Sequence, residues 1–174
     1  NVHIVEGNLY LTTGRNREAQ QEYLKAIGLG EDVSFEVWEN LLFLETQLEQ
    51  WDNVVKHAAE ALEVFPNQGM LHYFNGAALL RKRQFSEAIQ SFEQAKKLSG
   101  SNPALISDIN GLLGETYNAT REYVKSDRAY EDALAYNPNN ETILNNYSFY
   151  LALRKENLDK AEKMSATMIK NNPE

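Results

Sequence analysis

The chain has 174 residues, 43% of them hydrophobic, and sets 25 acidic against 17 basic side chains for a formal charge of −8. That content suits a globular chain, no apolar run nears the roughly 18 residues that a bilayer crossing takes, and a pI near 5.0 without a basic stripe disfavours nucleic acid. With no cysteine, disulfides, thiolate catalysis and cysteine-held metals are excluded, while the redox compartment stays open.

Taken from the N-terminus, one register position recurs at Gly7, Leu42, Gly76, Gly114 and Ser148, at spacings of 35, 34, 38 and 34 residues. The first unit, over about 1–33, continues through Tyr10, Ala19, Tyr23, Ala26 and Leu29. The second, over about 35–68, is looser at its small positions, Val54 and Ala58, but supplies Trp38, Leu41, Trp51, Ala61 and Pro66. The third, about 69–102, repeats the first as Leu79, Ala88, Phe92, Ala95 and Leu98, and the fourth, about 107–140, as Tyr117, Ser126, Tyr130, Ala133 and Pro138. The fifth, about 141–174, gives Leu151, Ala161, Met168 and Pro173, with one extra residue in its inter-helix turn.

This pattern resembles the tetratricopeptide repeat over the whole chain, and the period is the signature of such arrays. The resemblance implies an all-α fold: a right-handed superhelical α-solenoid of about five antiparallel helix pairs, forming a single array over 1–174. Each pair is too short to be stable alone and hides one face against the next. Gly7, Gly76 and Gly114 are expected to let a first helix approach its second helix at Ala19, Ala88 and Ser126. Larger side chains such as Trp38, Tyr23, Phe92 and Tyr130 fill the gaps, each burial being worth roughly 1.5–3 kcal/mol. The 38-residue spacing puts four extra residues near Ser99–Pro103, about one helical turn. Ser101 and Asn102 before Pro103 have the form of a helix cap, so a longer, protruding first helix is expected in the fourth unit.

The family holds peptides or partner proteins in a concave groove lined by the first helices. Carried onto this sequence, that groove takes Asn8, Glu39, Phe43, Tyr73, Arg81, Glu115, Asn118, Asn145 and Phe149 as its principal contacts. Ile4, Leu11, Glu36, Leu80, Asp108 and Gly111 lie beside them, as does Asn1. Steps of three, four and seven residues put each helix's share on one face. The aromatics offer apolar anchors, the asparagines can bond an extended backbone, and the acids favour a neutral or basic peptide over an acidic one. The family's dicarboxylate clamp for chaperone tails is not expected, because Ile4, Asn8, Asn40, Met70 and Phe74 stand at its places and the cations are missing.

Catalysis finds little footing. His3, His57 and His72 are scattered, His3 and His72 take the bulky upstream position of their units and are best explained as packing residues, and no phosphate loop, HExxH pair or nucleophile elbow occurs. The best acidic pair facing the groove, Asp108 and Glu115, lacks a base, nucleophile or full ligand set. The expectation is therefore a scaffold rather than an enzyme, with no cofactor and no metal. The alternatives are self-association, a spacer module of a larger envelope or regulatory protein, and, remotely, an enzyme using the acidic groove. Arg81, Lys82 and Arg83 form a solvated turn, and the sequons at Asn118, Asn140 and Asn146 are chance matches. The chain opens at Asn1 inside a helix and stops after Pro173 without a polar capping helix. The expectation is a segment cut from a longer protein, and the wording of the fifth unit suggests a bacterial source, in the cytoplasm or in the cell envelope and periplasm.

Overall fold

The computed structural model describes residues 2–30 and 33–171; Asn1 and Pro173, given roles above, lie outside the described residues. Among these there are ten helices and no strand: α1 (Val2–Thr12), α2 (Asn16–Gly28), α3 (Phe35–Gln47), α4 (Trp51–Val64), α5 (Gly69–Arg81), α6 (Phe85–Leu98), α7 (Pro103–Ala119), α8 (Tyr123–Tyr136), α9 (Glu141–Arg154) and α10 (Leu158–Asn171). They fall into two compact units, Asn1–Ser91 and Phe92–Glu174, with the boundary inside α6.

The recurring register lies at the middle of each odd-numbered helix, and Gly7, Leu42, Gly76, Gly114 and Ser148 are all buried. At Gly7 and Gly114 the nearest neighbour is not the small residue of the second helix. A Cβ built on Gly7 would meet the Tyr23 ring at 2.7 Å, and one on Gly114 the Tyr130 ring at 2.8 Å. The glycines thus seat an aromatic ring, and the small residue serves in a second way: the Ser126 hydroxyl donates to the Gly114 carbonyl at 2.8 Å.

Each odd helix stops in the same turn. Gly14, Glu49, Arg83, Arg121 and Lys155, each seven residues past the register position, have φ from 55° to 73°. The residue after each donates its backbone N–H back to the helix, as from Gln84 to Leu79 and from Glu122 to Tyr117. This is the paired bonding of a helix closed by a left-handed residue. The next helix starts nine residues past the register in the first four pairs and ten past it in the fifth. The extra residue, Asn157, also has positive φ, 45°.

In the first unit α3 packs against α4 and α5, and α2 against α1 and α3, around Tyr23, Trp38, Leu41, Leu42 and Leu71. In the second, α7 packs on α8 and α9, with the Tyr130 and Tyr147 rings stacked 5.1 Å apart. Burial raises both phenols far above their usual range, so each stays neutral and serves as packing.

α7 has 17 residues. It begins eleven residues before its register position, where α3, α5 and α9 begin seven before theirs. The insertion is helix, begun by Asn102, whose side chain accepts from the Leu105 N–H at 3.1 Å with Pro103 in the first turn. The added turn is not a free projection. Pro103 and Ala104 face solvent, but Ile106 is buried, and just beyond it the Ser107 hydroxyl donates to the Ala133 carbonyl at 2.9 Å.

Candidate functional site

The exposed faces of the odd helices carry the expected groove residues, and the two units are taken separately. In the first, Glu36, Glu39 and Phe43 follow one stripe of α3, beside α5 with Tyr73 and Arg81. Phe43 keeps 45% of its surface exposed, although residues on either side of it, Leu42 and Leu44, are fully buried. Tyr73 is half-buried, its ring lying edge-on to Phe74 and against the core. Arg81 is exposed at the end of α5. Leu80, expected in the groove, is buried instead, because it stands one turn past the buried register position Gly76, roughly 40° round the helix from it.

Asn8 is exposed on α1 and accepts from the Tyr23 hydroxyl at 2.7 Å; the Asn40 amide reaches the same hydroxyl at 3.4 Å. A buried tyrosine thereby links the two asparagines through its polar end. Among the described residues no hydrogen bond takes up the Nδ2 group of Asn8, so its donors remain for a partner. The Glu39 carboxyl is held above its ordinary range by burial and then by the charge of Glu36.

In the second unit Asp108, Glu115 and Asn118 follow one stripe of α7, beside α9 with Asn145 and Phe149. Phe149 is 58% exposed and meets Tyr150 edge-on; Asn145 is exposed, and Glu115 and Asn118 are half-buried. Asp108 accepts from the Asn140 amide at 3.2 Å, yet burial still raises its carboxyl. Gly111 is a helix contact rather than a lining residue: a Cβ there would stand 3.1 Å from Ile143. Its missing side chain lets α9 close on α7.

His3 departs from the expected packing role, and His57 is likewise engaged by an acid. The His3 ring nitrogen lies 2.6 Å from Glu22, and that of buried His57 lies 2.7 Å from Glu45, a fully buried carboxylate that Gln20 also approaches at 3.2 Å. Each of these histidines is a hydrogen-bonding partner of an acid on another helix. His3, Glu6 and Glu22 bring three donor atoms within 4.8 Å of one another. Lys25 sits 2.6 Å from Glu22, so the cluster already holds a counter-cation, the ordinary state of a surface ion pair.

Tetratricopeptide repeat models match residues 2–32 and 47–103, together half of the chain. The E3 ubiquitin-protein ligase CHIP of Arabidopsis thaliana is 26% identical over 129 residues, which is 72% of this chain and 46% of that protein. The chain spans less than half the length of the curated relatives it matches. Among solved structures, MamA 41-end from Desulfovibrio magneticus RS-1 superposes with a TM-score of 0.83, at 19% identity, over 99% of this chain and 96% of that one. YrrB, described as a TPR protein with an unusual peptide-binding site, superposes at 0.71, with 17% identity over 99% of this chain and 86% of its own. At those identities the two structures establish the fold alone.

Proposed function

Because the chain belongs to the tetratricopeptide repeat family, we propose that it is a non-catalytic interaction scaffold whose odd-helix faces bind a neutral or basic peptide or partner protein. The reading rests above all on Phe43 and Phe149, two large rings left 45% and 58% exposed on helices whose other faces are buried. Rings of this kind are the anchors that dominate binding energies. Asn8, Glu39, Tyr73 and Arg81 are assigned to bind alongside Phe43, and Glu115, Asn118 and Asn145 alongside Phe149. The asparagine amides suit an extended backbone, and the raised carboxyls of Glu39 and Asp108 would be relieved by a cation from the ligand. The peptide-binding site named for YrrB lends the fold a precedent.

Selection from a displayed peptide library, followed by fluorescence anisotropy, tests this. Selected peptides should be neutral or basic, and Phe43→Ala or Phe149→Ala should weaken them by about tenfold or more, which is about 1.4 kcal/mol. Selected peptides that bind both folded variants as well as the parent would overturn the assignment of these faces.

A further inference from the structure

A cavity of about 240 Å³ opens between α6, α7 and α8 within the second unit. It lies on the other side of α7 from the proposed peptide face: Asn110, Leu113 and Tyr117 line it, and at 100° per residue their stripe sits roughly 150° round the helix from Asp108, Glu115 and Asn118. Asn110 holds the position four residues before the register, where the other units place His3, Trp38, His72 and Leu144. The cavity is thus bounded by a short side chain at a place where two of the other units fit Trp38 and Leu144 into the core.

Asn110 is 1% exposed, and among the described residues neither its carbonyl oxygen nor its amide nitrogen has a hydrogen-bond partner. A buried polar group in that state costs about 1–3 kcal/mol, and native proteins rarely leave one unanswered. The walls are charged with both signs. Glu93 and Lys96 line the cavity from α6 and Lys125, Arg128 and Asp132 from α8, while Leu113 and Ala129 supply apolar surface. Lys125 is held by Glu122; among the described residues no ion pair ties Lys96, Arg128, Glu93 or Asp132. One water takes on the order of 30 Å³ of liquid, so the space admits a ligand of amino-acid size.

We propose that this cavity binds a small zwitterion of the α-amino-acid class, with its carboxylate on Arg128 and Lys96, its ammonium group on Glu93 and Asp132, and a further polar group on Asn110. The assignment stands independently of the peptide face. Each part of the ligand answers a group that the protein leaves unpaired. A purely anionic ligand would leave the two carboxylates unmatched, and a cation would leave the two basic groups so.

The test is nitrogen-15 NMR of the whole chain, following the Asn110 side-chain amide during titration with the standard L-amino acids. Inorganic phosphate, glutarate and an N-acetylated dipeptide with a free C-terminus form the control arms. At least one amino acid should move the Asn110 amide saturably, and Arg128→Gln, at an exposed position, should weaken it about tenfold. Asn110→Leu copies Leu144 at the equivalent place, so it should stay helical by circular dichroism and show no saturable shift in the backbone amides of Leu113, Tyr117 and Arg128 that the parent shows. The absence of a saturable shift at a Kd of about 1 mM or tighter would overturn the proposal. Binding of phosphate or glutarate as tight as any amino acid would reduce the cavity to a general anion site and overturn it too. Equal binding of the acetylated dipeptide would show the ammonium contacts idle, and would assign the cavity to peptide C-termini instead.

Discussion

A methyl group on Gly114 would stand 2.8 Å from the Tyr130 ring, which is buried and stacked on Tyr147. The ring has nowhere to retreat, so Gly114→Ala should cost about 1–3 kcal/mol, read as a lower urea midpoint. Gly28 has nothing within 4 Å of its built Cβ, and Gly28→Ala should instead add about 0.5–1 kcal/mol through helix propensity and a less flexible unfolded chain. Glu39 illustrates a charge argument at the same scale. Its carboxyl is raised from an ordinary 4.5 by burial and by Glu36, so the folded chain holds that proton more tightly than the unfolded one. The associated stability is complete below the unfolded value and is lost as pH rises through the folded one. A basic peptide needs the ionised form, so its affinity should rise with pH across that window, and Glu39→Gln should flatten the dependence; anisotropy titrations from acid to neutral pH would read both.

The odd-to-even helix turns repeat one backbone conformation at five positions with four residue types. Only Gly14 adopts it freely, whereas Glu49, Arg83, Arg121 and Lys155 are L-residues at positive φ, where a side chain costs about 1–2 kcal/mol. Glu49→Gly should therefore stabilise the chain by about 0.5–1 kcal/mol after the added entropy of the unfolded state; an unchanged or lower thermal midpoint would contradict this. The turns also mark how far the residues alone carry the fold. Periodicity places all five pairs, the extra residue before α10 and the early start of α7, because each depends on spacing or on a local cap. The left-handed turns are hidden because charged side chains at four of them carry no glycine signal. The ring seats on Gly7 and Gly114 are hidden for a different reason: Tyr23 and Tyr130 follow Ala19 and Ser126 by four residues on the same buried face, and spacing does not say which of the two fills the space a glycine leaves. At the proposed peptide face, Phe43 and Phe149 are exposed as the register implies, but Leu80 and Gly111 are not lining residues, since packing of α5 and α7 decides them. Asn110 carries a visible signal, a short polar residue at a bulky position, whose meaning depends on Lys96, Arg128 and the other walls brought together only by folding.

At the scale of the molecule, α6 belongs to both units. It runs unbroken from Phe85 to Leu98 while the boundary falls between Ser91 and Phe92, with Ala88 buried on one side and Phe92 and Ala95 on the other. A helix cannot lose half its length without exposing the backbone ends of the remainder. We propose on this ground that the five pairs behave as one array. Both tryptophans, Trp38 and Trp51, lie in the first unit, so their fluorescence follows that unit while far-ultraviolet circular dichroism follows all ten helices. The two urea transitions should coincide; a tryptophan transition displaced from the dichroism curve would divide the chain into independently melting halves. Among the described residues no helix is long and apolar enough to cross a membrane.

The burial of Asn110 within α7 carries a further consequence, for the chemical ageing of the chain. It is followed by Gly111, and the only other Asn–Gly pair is Asn75–Gly76 in α5, where the Asn75 amide donates to Ser91 at 2.9 Å. Such pairs lose ammonia readily when the glycine nitrogen swings onto the asparagine side chain, a motion that helical backbone forbids. Each unit therefore holds one slow clock that advances only while its helix is open, and the ratio of aspartate formed at the two sites in an aged sample records which unit opens more often.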